Sequence, residues 1–480
     1  MIRLTLEEIA GIVGGRVVDA KPSEVVTGPA FLDTRTPEKG GLFVAFAGEH
    51  VDGHDYAVTA VEGGAAAVLG TRATGVPTVL VDDARAALQV LAHDVLQRLR
   101  RAGGRLRVLA ITGSQGKTTA KDMLARVLAD AGATVATAGS FNNELGLPLT
   151  VLRADKKTRY LVLEMGSRGV GHLAELCEIA PPDISLVLNV GRAHIGEFGS
   201  QEQIAVAKGE LVEALQPEGA AVLNIDDPLV SMMAIRTQAH VWTFGHSAAA
   251  AVRIDDVQVD DLGRASFDLT HRGKTEHVTL RLLGEHRAVN AAATTAAALA
   301  AGLSLKRVTG SLRTLDHLSP MRMELHERAD GLAVINDAYN ANPDSMRSAL
   351  ETLGRVGRSG RRTVAVLGEM RELGGTAEEE HRQVGLLLGR LGIDVVVVVG
   401  PGARGVYDAL ADDGLATTRY VETATEAGEW LRENVAGPDV VLVKASRSVQ
   451  LETVTDMLVG DPVDDPVDDL VDEEGKGSVR

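Results

Sequence analysis

The sequence predicts an α/β protein of three domains built on parallel sheets, and three observations carry that prediction. Short apolar runs alternate with amphipathic stretches along almost the whole chain, the pattern left by buried parallel strands joined through crossover helices. A glycine-rich turn at 113–119 separates one such run from the helix that follows. The chain has 480 residues, more than the roughly 250–300 at which a single core stops growing. With 52 glycines and only 3% aromatic residues, its cores must be built from Ala, Val and Leu between many tight turns.

The elements follow in order. Thr5 and Glu8 have the spacing of a capping box, and Gly14 and Gly15 end the helix it opens. A strand at 41–46 and a helix at 56–63 belong to a smaller α/β domain, 1–104, whose end is signalled by the polar stretch 98–105. The central domain, 105–317, opens with the apolar run 106–112, then the glycine turn, then a helix from Lys117 to about Asp130. Further strands are expected at 134–138, 160–164, 184–189 and 220–224, and an alanine-rich helix at 288–301 ends at Gly302. The third domain, 318–459, repeats the scheme with strands at 332–337, 363–368, 395–400 and 440–444. Its five successive valines, Val395 to Val399, fit a central strand. The expected architecture is a central P-loop-type parallel sheet, a Rossmann-like C-terminal domain and the smaller N-terminal one. Ligands in such sheets bind beyond the carboxyl ends of the strands.

A net charge of −17 disfavours nonspecific binding to nucleic acid or anionic membranes. Part of the excess lies in an acidic, proline-punctuated tail, 460–480, which reads as solvated and disordered. Cys177 is the only cysteine, so no intrachain disulfide forms and a reducing compartment is expected. The N-terminus lacks the features of a signal peptide, and no apolar run reaches the roughly 18–20 residues that span a bilayer. A soluble, cytoplasmic protein without membrane insertion is expected.

The chemistry concentrates just after strands. Gly113, Ser114, Gln115, Gly116, Lys117, Thr118 and Thr119 form a phosphate loop of the shorter form G-x-x-G-K-T, with Ile111 where the longer motif has its first glycine. Glycines let backbone N–H groups approach phosphate oxygens, and the helix N-terminus adds partial positive charge. Lys117 would reach the β- and γ-phosphates and Thr118 would offer its hydroxyl to Mg²⁺. Glu164 ends a strand beside the loop strand, a suitable place for a Mg²⁺ ligand, although acids at strand ends are common. By residue type alone His194 reads equally as a structural or surface histidine, and Lys208 as a solvated lysine on a helix.

The stretches TGSQGKTT, SFNNELGLPLT, LEMGSRGVGHL, NVGRAHIGEFGS, AKGEL, NIDDP, GEHRAVNAAAT, NDAYNANPDSM and LVKASRS occur in this order. Together they resemble the Mur ligases, and within them the branch that adds D-alanyl-D-alanine, over nearly all the chain to about residue 459. The resemblance implies ATP and two Mg²⁺ ions as cofactors, with UDP-MurNAc-tripeptide and D-Ala-D-Ala as substrates. It implies a monomer without a nucleic-acid partner. It also implies roles for particular residues. Lys117 and Thr118 match ATP-phosphate and Mg²⁺ positions, Glu164 a Mg²⁺ ligand, and His194 a ligand of the second metal. Lys208 matches a lysine that is carbamylated to an anion helping to hold that metal. Asn290 matches an adenine contact, Asn142 and Asn143 a loop near the nucleotide and the reacting carboxylate, and Arg322 an arginine coupling the third domain to ATP. Asp337 matches a position near ribose and phosphates, with Tyr339 and Asn340 in the same cleft, and Lys444 and Arg447 match charged positions of the third domain. Asp33, Thr34 and Arg35 resemble the turn that meets the UDP moiety. Ala445 and Asn336 depart from the pattern, standing where glycine and a second acid are frequent.

The implied reaction is physically coherent, because a carboxylate becomes a useful electrophile once the ATP γ-phosphoryl group converts it to an acyl phosphate. The alternatives are a sister Mur or folylpolyglutamate-type amide ligase, a P-loop NTPase driving mechanical change, and a nucleotide-binding scaffold without catalysis.

Overall fold

The computed structural model describes residues 1–48, 51–103, 105–139, 141–191, 198–261, 263–316, 318–411 and 417–460. The expectations for His194 and for the acidic tail lie outside the described residues. The chain divides into two compact units, one of Met1–Arg322 with Asn342–Ser348 and Glu372–Ala377, the other of Met323–Ala341, Ala349–Arg371 and Glu378–Arg480.

The first unit holds two large sheets. The N-terminal one has five strands in the order Arg16–Val18, Thr78–Leu80, Ala67–Gly70, Leu42–Val44, Ala30–Phe31, parallel except at the Arg16–Val18 edge. The helix Leu6–Val13 beside it carries the full capping box between Thr5 and Glu8 and ends at Gly14, whose φ of 67° is left-handed. The polar stretch 98–105 is not a linker in its first half. The helix Ala84–Arg101 runs through it, because Leu96 and Leu99 continue the buried stripe while Arg98 pairs with Asp94 one turn back. This helix also joins the two sheets. Gln89 Nε2 donates to the Glu144 carbonyl, His93 bonds the Glu178 carbonyl, and Arg100 reaches Asp183 at 3.2 Å. One continuous apolar core, from Leu4 and Leu88 through Leu147 to Leu211, lies behind these contacts.

The central sheet has nine strands. Seven run parallel, in the order Val252–Val259, His240–Gly245, Ala220–Asn224, Ile184–Val187, Arg107–Thr112, Tyr160–Glu164, Thr134–Ala136. Arg107–Thr112 is flanked on both sides, so its carboxyl end opens onto the middle of the sheet edge, where the phosphate loop begins. Beyond His240–Gly245 the sheet continues through Val252–Val259 into the antiparallel strands Arg264–His271 and Lys274–Leu283. The helix Arg287–Ala300 packs its alanine face on the sheet and on the loop helix Lys117–Ala129.

In the second unit six strands run in the order Glu324–Glu327, Ala333–Asn336, Val440–Lys444, Thr363–Leu367, Val395–Val399, Thr417–Val421, parallel except for the first. The five-valine strand is wholly buried between two neighbours, as its composition requires. The helices Ala424–Asn434 and Glu452–Val459 cover the core with Leu431, Val454 and Leu458.

Candidate active site

The phosphate loop turns directly from the buried strand Arg107–Thr112 into the helix Lys117–Ala129. Gly116 precedes the helix at φ 78°, and a Cβ there would lie 2.9 Å from Asn290 Oδ1, so both backbone and space demand glycine. The loop is held from the next strand by a residue that the motif did not suggest. Asn189 Oδ1 accepts from the N–H groups of Ser114 and Gln115, each at 3.0 Å, and its Nδ2 donates to the Gln115 carbonyl. Those two amides therefore face Asn189, and phosphate would meet the N–H groups from Gly116 onward at the helix start. Ser114 Oγ accepts from Gly191 N–H, fastening the loop after Ile184–Val187 to the phosphate loop. Val190 is pinned as well, by Asp227 Oδ2 on its N–H and by Gln201 Nε2 on its carbonyl.

Lys117 folds its ammonium onto the Gly113 carbonyl at 2.8 Å. Burial pushes its pKa down; the Glu164 carboxylate opposes this and the Arg322 guanidinium adds to it. Glu164 ends its strand 1% exposed. Its Oε1 accepts from Asn142 Nδ2 at 2.8 Å, whereas Oε2 is buried without a hydrogen-bond partner. An orphaned buried carboxylate oxygen is costly unless something electropositive meets it. Its strand tip is held by Thr137 Oγ1, which accepts from the Glu164 N–H. Lys121 Nζ in turn donates to the Thr137 carbonyl and pairs with Asp122.

Lys208 is not the solvated lysine that its helical setting allows. It is 5% exposed on the helix Gln201–Glu213, and its pKa falls well below the ordinary value, first from burial and then from the like charge of Lys117. Burial of this kind favours the neutral, nucleophilic form of the amine. The helix that carries it is anchored by two side chains absent from the sequence reading. Glu210 caps the helix His172–Ile179 by accepting from Gly171 and Ala174 N–H. Arg236 lies against Gly209, pairs with Glu213 and donates to the Ala205 and Val206 carbonyls. Cys177 is inert here, since burial and then Glu210 push its thiol up to about 12.

Asn143 serves the turn itself, its Oδ1 accepting from Gly146 N–H at 2.9 Å where the helix Gly146–Val151 begins. In the N-terminal sheet Asp33 accepts two bonds from the Arg35 guanidinium and one from its backbone, which hold the Asp33 carboxyl at about 2. Thr34 is half-buried between them and Arg35 is exposed. In the second unit Lys444 is 1% exposed and reaches Asp337 Oδ2 at 2.6 Å and the Asn340 carbonyl at 2.9 Å. Tyr339 is half-buried in the same loop, and Arg447 pairs with Glu452 beyond the strand. Asn336 caps the turn through Ala338 N–H, a use that needs no second acid.

Comparison with known proteins agrees with this geometry. The Mur ligase family catalytic-domain profile matches residues 31–99, the Mur ligase middle-domain profile residues 111–298, and the Mur ligase glutamate ligase domain profile residues 321–447. A UDP-N-acetylmuramoyl-tripeptide–D-alanyl-D-alanine ligase of Mycobacterium tuberculosis is 44% identical over 96% of this chain and 98% of that protein. The chain belongs to the Mur ligase family. Among solved Mur ligases, MurF from Acinetobacter baumannii superposes with a TM-score of 0.83 at 29% identity, covering 95% of this chain and 99% of that one. MurF from Thermotoga maritima, solved with ADP, gives 0.77 at 29% identity over 90% and 97%. Among the described residues no three His, Cys, Asp or Glu side chains gather as a ready metal site.

Proposed function

We propose that this Mur ligase joins D-alanyl-D-alanine to UDP-MurNAc-tripeptide through an acyl phosphate. The product would be the UDP-linked pentapeptide of peptidoglycan precursor synthesis, with ADP and phosphate released. The observation that carries the reading is the grouping of Lys117, the orphaned Glu164 oxygen and the buried Lys208 around one phosphate loop. The relatives' names agree with it.

The loop amides from Gly116 onward and Lys117 bind the phosphates of ATP, Lys117 exchanging the Gly113 carbonyl for phosphate oxygens. Asn290 stands against Gly116 and would contact adenine. An oxygen of the tripeptide carboxylate attacks the γ-phosphorus, and ADP leaves. The neutral amine of the dipeptide then attacks the carbonyl carbon, the phosphate oxygen leaves, and the amine proton passes to phosphate or solvent. The protein's part is to align these groups and neutralise charge.

A Mg²⁺ ion suits the orphaned Glu164 oxygen, and the family resemblance implies a second. Thr118 and Glu164 Oε2 would hold one, and Lys208 with His194 the other; bound there, they would neutralise phosphate oxygens. Lys208 becomes a ligand by carbamylation: its neutral amine adds carbon dioxide and loses a proton, giving a carbamate anion. Its burial and lowered pKa favour that addition. Asp33, Thr34 and Arg35 would meet the UDP moiety. Asn142 and Asn143 would lie near the reacting carboxylate, Arg322 beside the phosphates, and Asp337, Tyr339, Asn340, Lys444 and Arg447 would contact nucleotide or substrate. The reading divides the chain at 104/105, 317/318 and 459/460, and has it act as a cytoplasmic monomer. No helix among the described residues is long and apolar enough to cross a membrane.

An acceptor panel tests the assignment. D-Ala-D-Ala, diaminopimelate, lysine and glutamate are each offered with ATP, Mg²⁺ and the matching UDP-peptide, and products are weighed by mass spectrometry. Amide formation with D-Ala-D-Ala alone is expected; preference for a single amino acid would move the chain to another branch.

A further inference from the structure

Arg287 is among the largest fully buried side chains of the protein, 2% exposed at the start of the helix Arg287–Ala300. A guanidinium in that position must be satisfied by fixed acceptors. Its Nε donates to the Leu283 carbonyl at 3.2 Å, its Nη1 to Thr119 Oγ1 at 2.6 Å, and its Nη2 to the Arg322 carbonyl at 2.9 Å. Thr119 follows Thr118 and Lys117 in the first turn of the loop helix. Asn290 lies three residues on from Arg287, on the same helix face, with its carboxamide against Gly116. One face of one helix therefore grips the phosphate loop twice, at Gly116 and at Thr119. The same guanidinium also holds the backbone of Arg322, whose charge is felt at Lys117.

We propose that Arg287 is a positioning residue for ATP, acting through Thr119 on Lys117 and Thr118 and through the Arg322 backbone on the Arg322 charge. The planar fork meets the hydroxyl and two carbonyls from three separate nitrogens, where a lysine would have to reach all three from one. The inference rests on the phosphate-loop reading and deepens it by assigning the geometry of the loop to a residue outside the motif.

The test compares Arg287→Lys, Arg287→Met and Thr119→Val with wild-type enzyme. Thr119→Val keeps the branched shape and removes the hydroxyl that Arg287 reaches, so it serves even where Arg287→Met does not fold. The KM for ATP and the affinity for ADP by calorimetry are expected to weaken about 10-fold or more in Arg287→Met and Thr119→Val. Arg287→Lys should recover part of the loss, and the KM for D-Ala-D-Ala should stay within about two-fold. Adding Thr119→Val to Arg287→Lys should cost less than the two changes taken separately. Folded variants that bind ADP as tightly as wild type would overturn the proposal. So would an equal rise in every KM, the mark of a merely structural role. Wild-type enzyme that binds ADP but forms no amide would instead remove the ligase reading while leaving the ADP comparison intact.

Discussion

Replacing Lys208 with methionine should change how the stability of the first unit depends on pH. In the folded protein Lys208 is buried, with the like charge of Lys117 in range, so its amine is neutral well below 10.5; in the unfolded chain it titrates near 10.5. Between those two values the unfolded chain holds one more proton than the native one. Stability therefore rises with pH through this window and falls as pH drops toward the lowered folded value. The slope is about 1.4 kcal/mol per pH unit for one proton. Methionine has no proton to release, so the variant lacks this increment and should be the more stable of the two near neutrality. The chain's two tryptophans make the measurement local, because Trp242 lies in the first unit and Trp430 in the second. In a Trp430→Phe background, Trp242 fluorescence followed in guanidinium chloride at pH 8.5 and 9.5, in buffer purged of carbon dioxide, reports the first unit alone. The wild-type stability should rise between these two pH values more than that of Lys208→Met does, by at most about 1.4 kcal/mol. Equal changes would mean that Lys208 stays charged in the folded protein, and the physical case for its carbamylation would fail.

Other consequences are open to measurement. Lys444→Met should destabilise the second unit by about 3–5 kcal/mol, read from Trp430, because Asp337 is left as an uncompensated carboxylate; adding Asp337→Asn should recover most of the loss. Gly116→Ala should weaken ADP binding by calorimetry, since the new methyl meets Asn290 and φ 78° disfavours it. Arg35→Ala should raise the KM for the UDP-peptide without moving the melting temperature, as its pair with Asp33 is exposed. Gly209→Ala should lower both the melting temperature and kcat, because a methyl would displace the Arg236 guanidinium that braces the Lys208 helix.

Much of this was legible in the chain. The strands at 134–136, 160–164, 220–224, 363–367, 395–399 and 440–444 fall where short apolar runs predict them, because all but the half-buried edge strand 134–136 are buried along their length. The antiparallel extension was passed over although it carried a signal. Phe267 and Leu269, then Val278 and Leu280, alternate with polar residues, and Arg272–Gly273, both at positive φ, make the two-residue hairpin between their strands. The helix Ala84–Arg101 has no counterpart in the sequence reading, because its three C-terminal arginines disguise the last turn of a stripe that Leu96 and Leu99 still define.

For the site, residue types gave the phosphate loop and Glu164, because their chemistry is local to one strand–loop–helix unit. The buried state of Lys208 was not readable, since it arises from packing onto distant segments. Asn189, Glu210, Arg236 and Arg287 were missed for the same reason. Each is an ordinary polar residue until the fold brings its acceptors or donors within reach, as with Arg287 and Thr119, which are far apart in the chain.

The central claim is that amide formation passes through transfer of the ATP γ-phosphoryl group to a substrate carboxylate. Tripeptide labelled with ¹⁸O in the reacting carboxylate tests it directly when incubated with enzyme, ATP, Mg²⁺ and D-Ala-D-Ala. The account predicts one ¹⁸O in the released phosphate for each amide formed. Amide formation with unlabelled phosphate, or phosphate release without any amide, would contradict it.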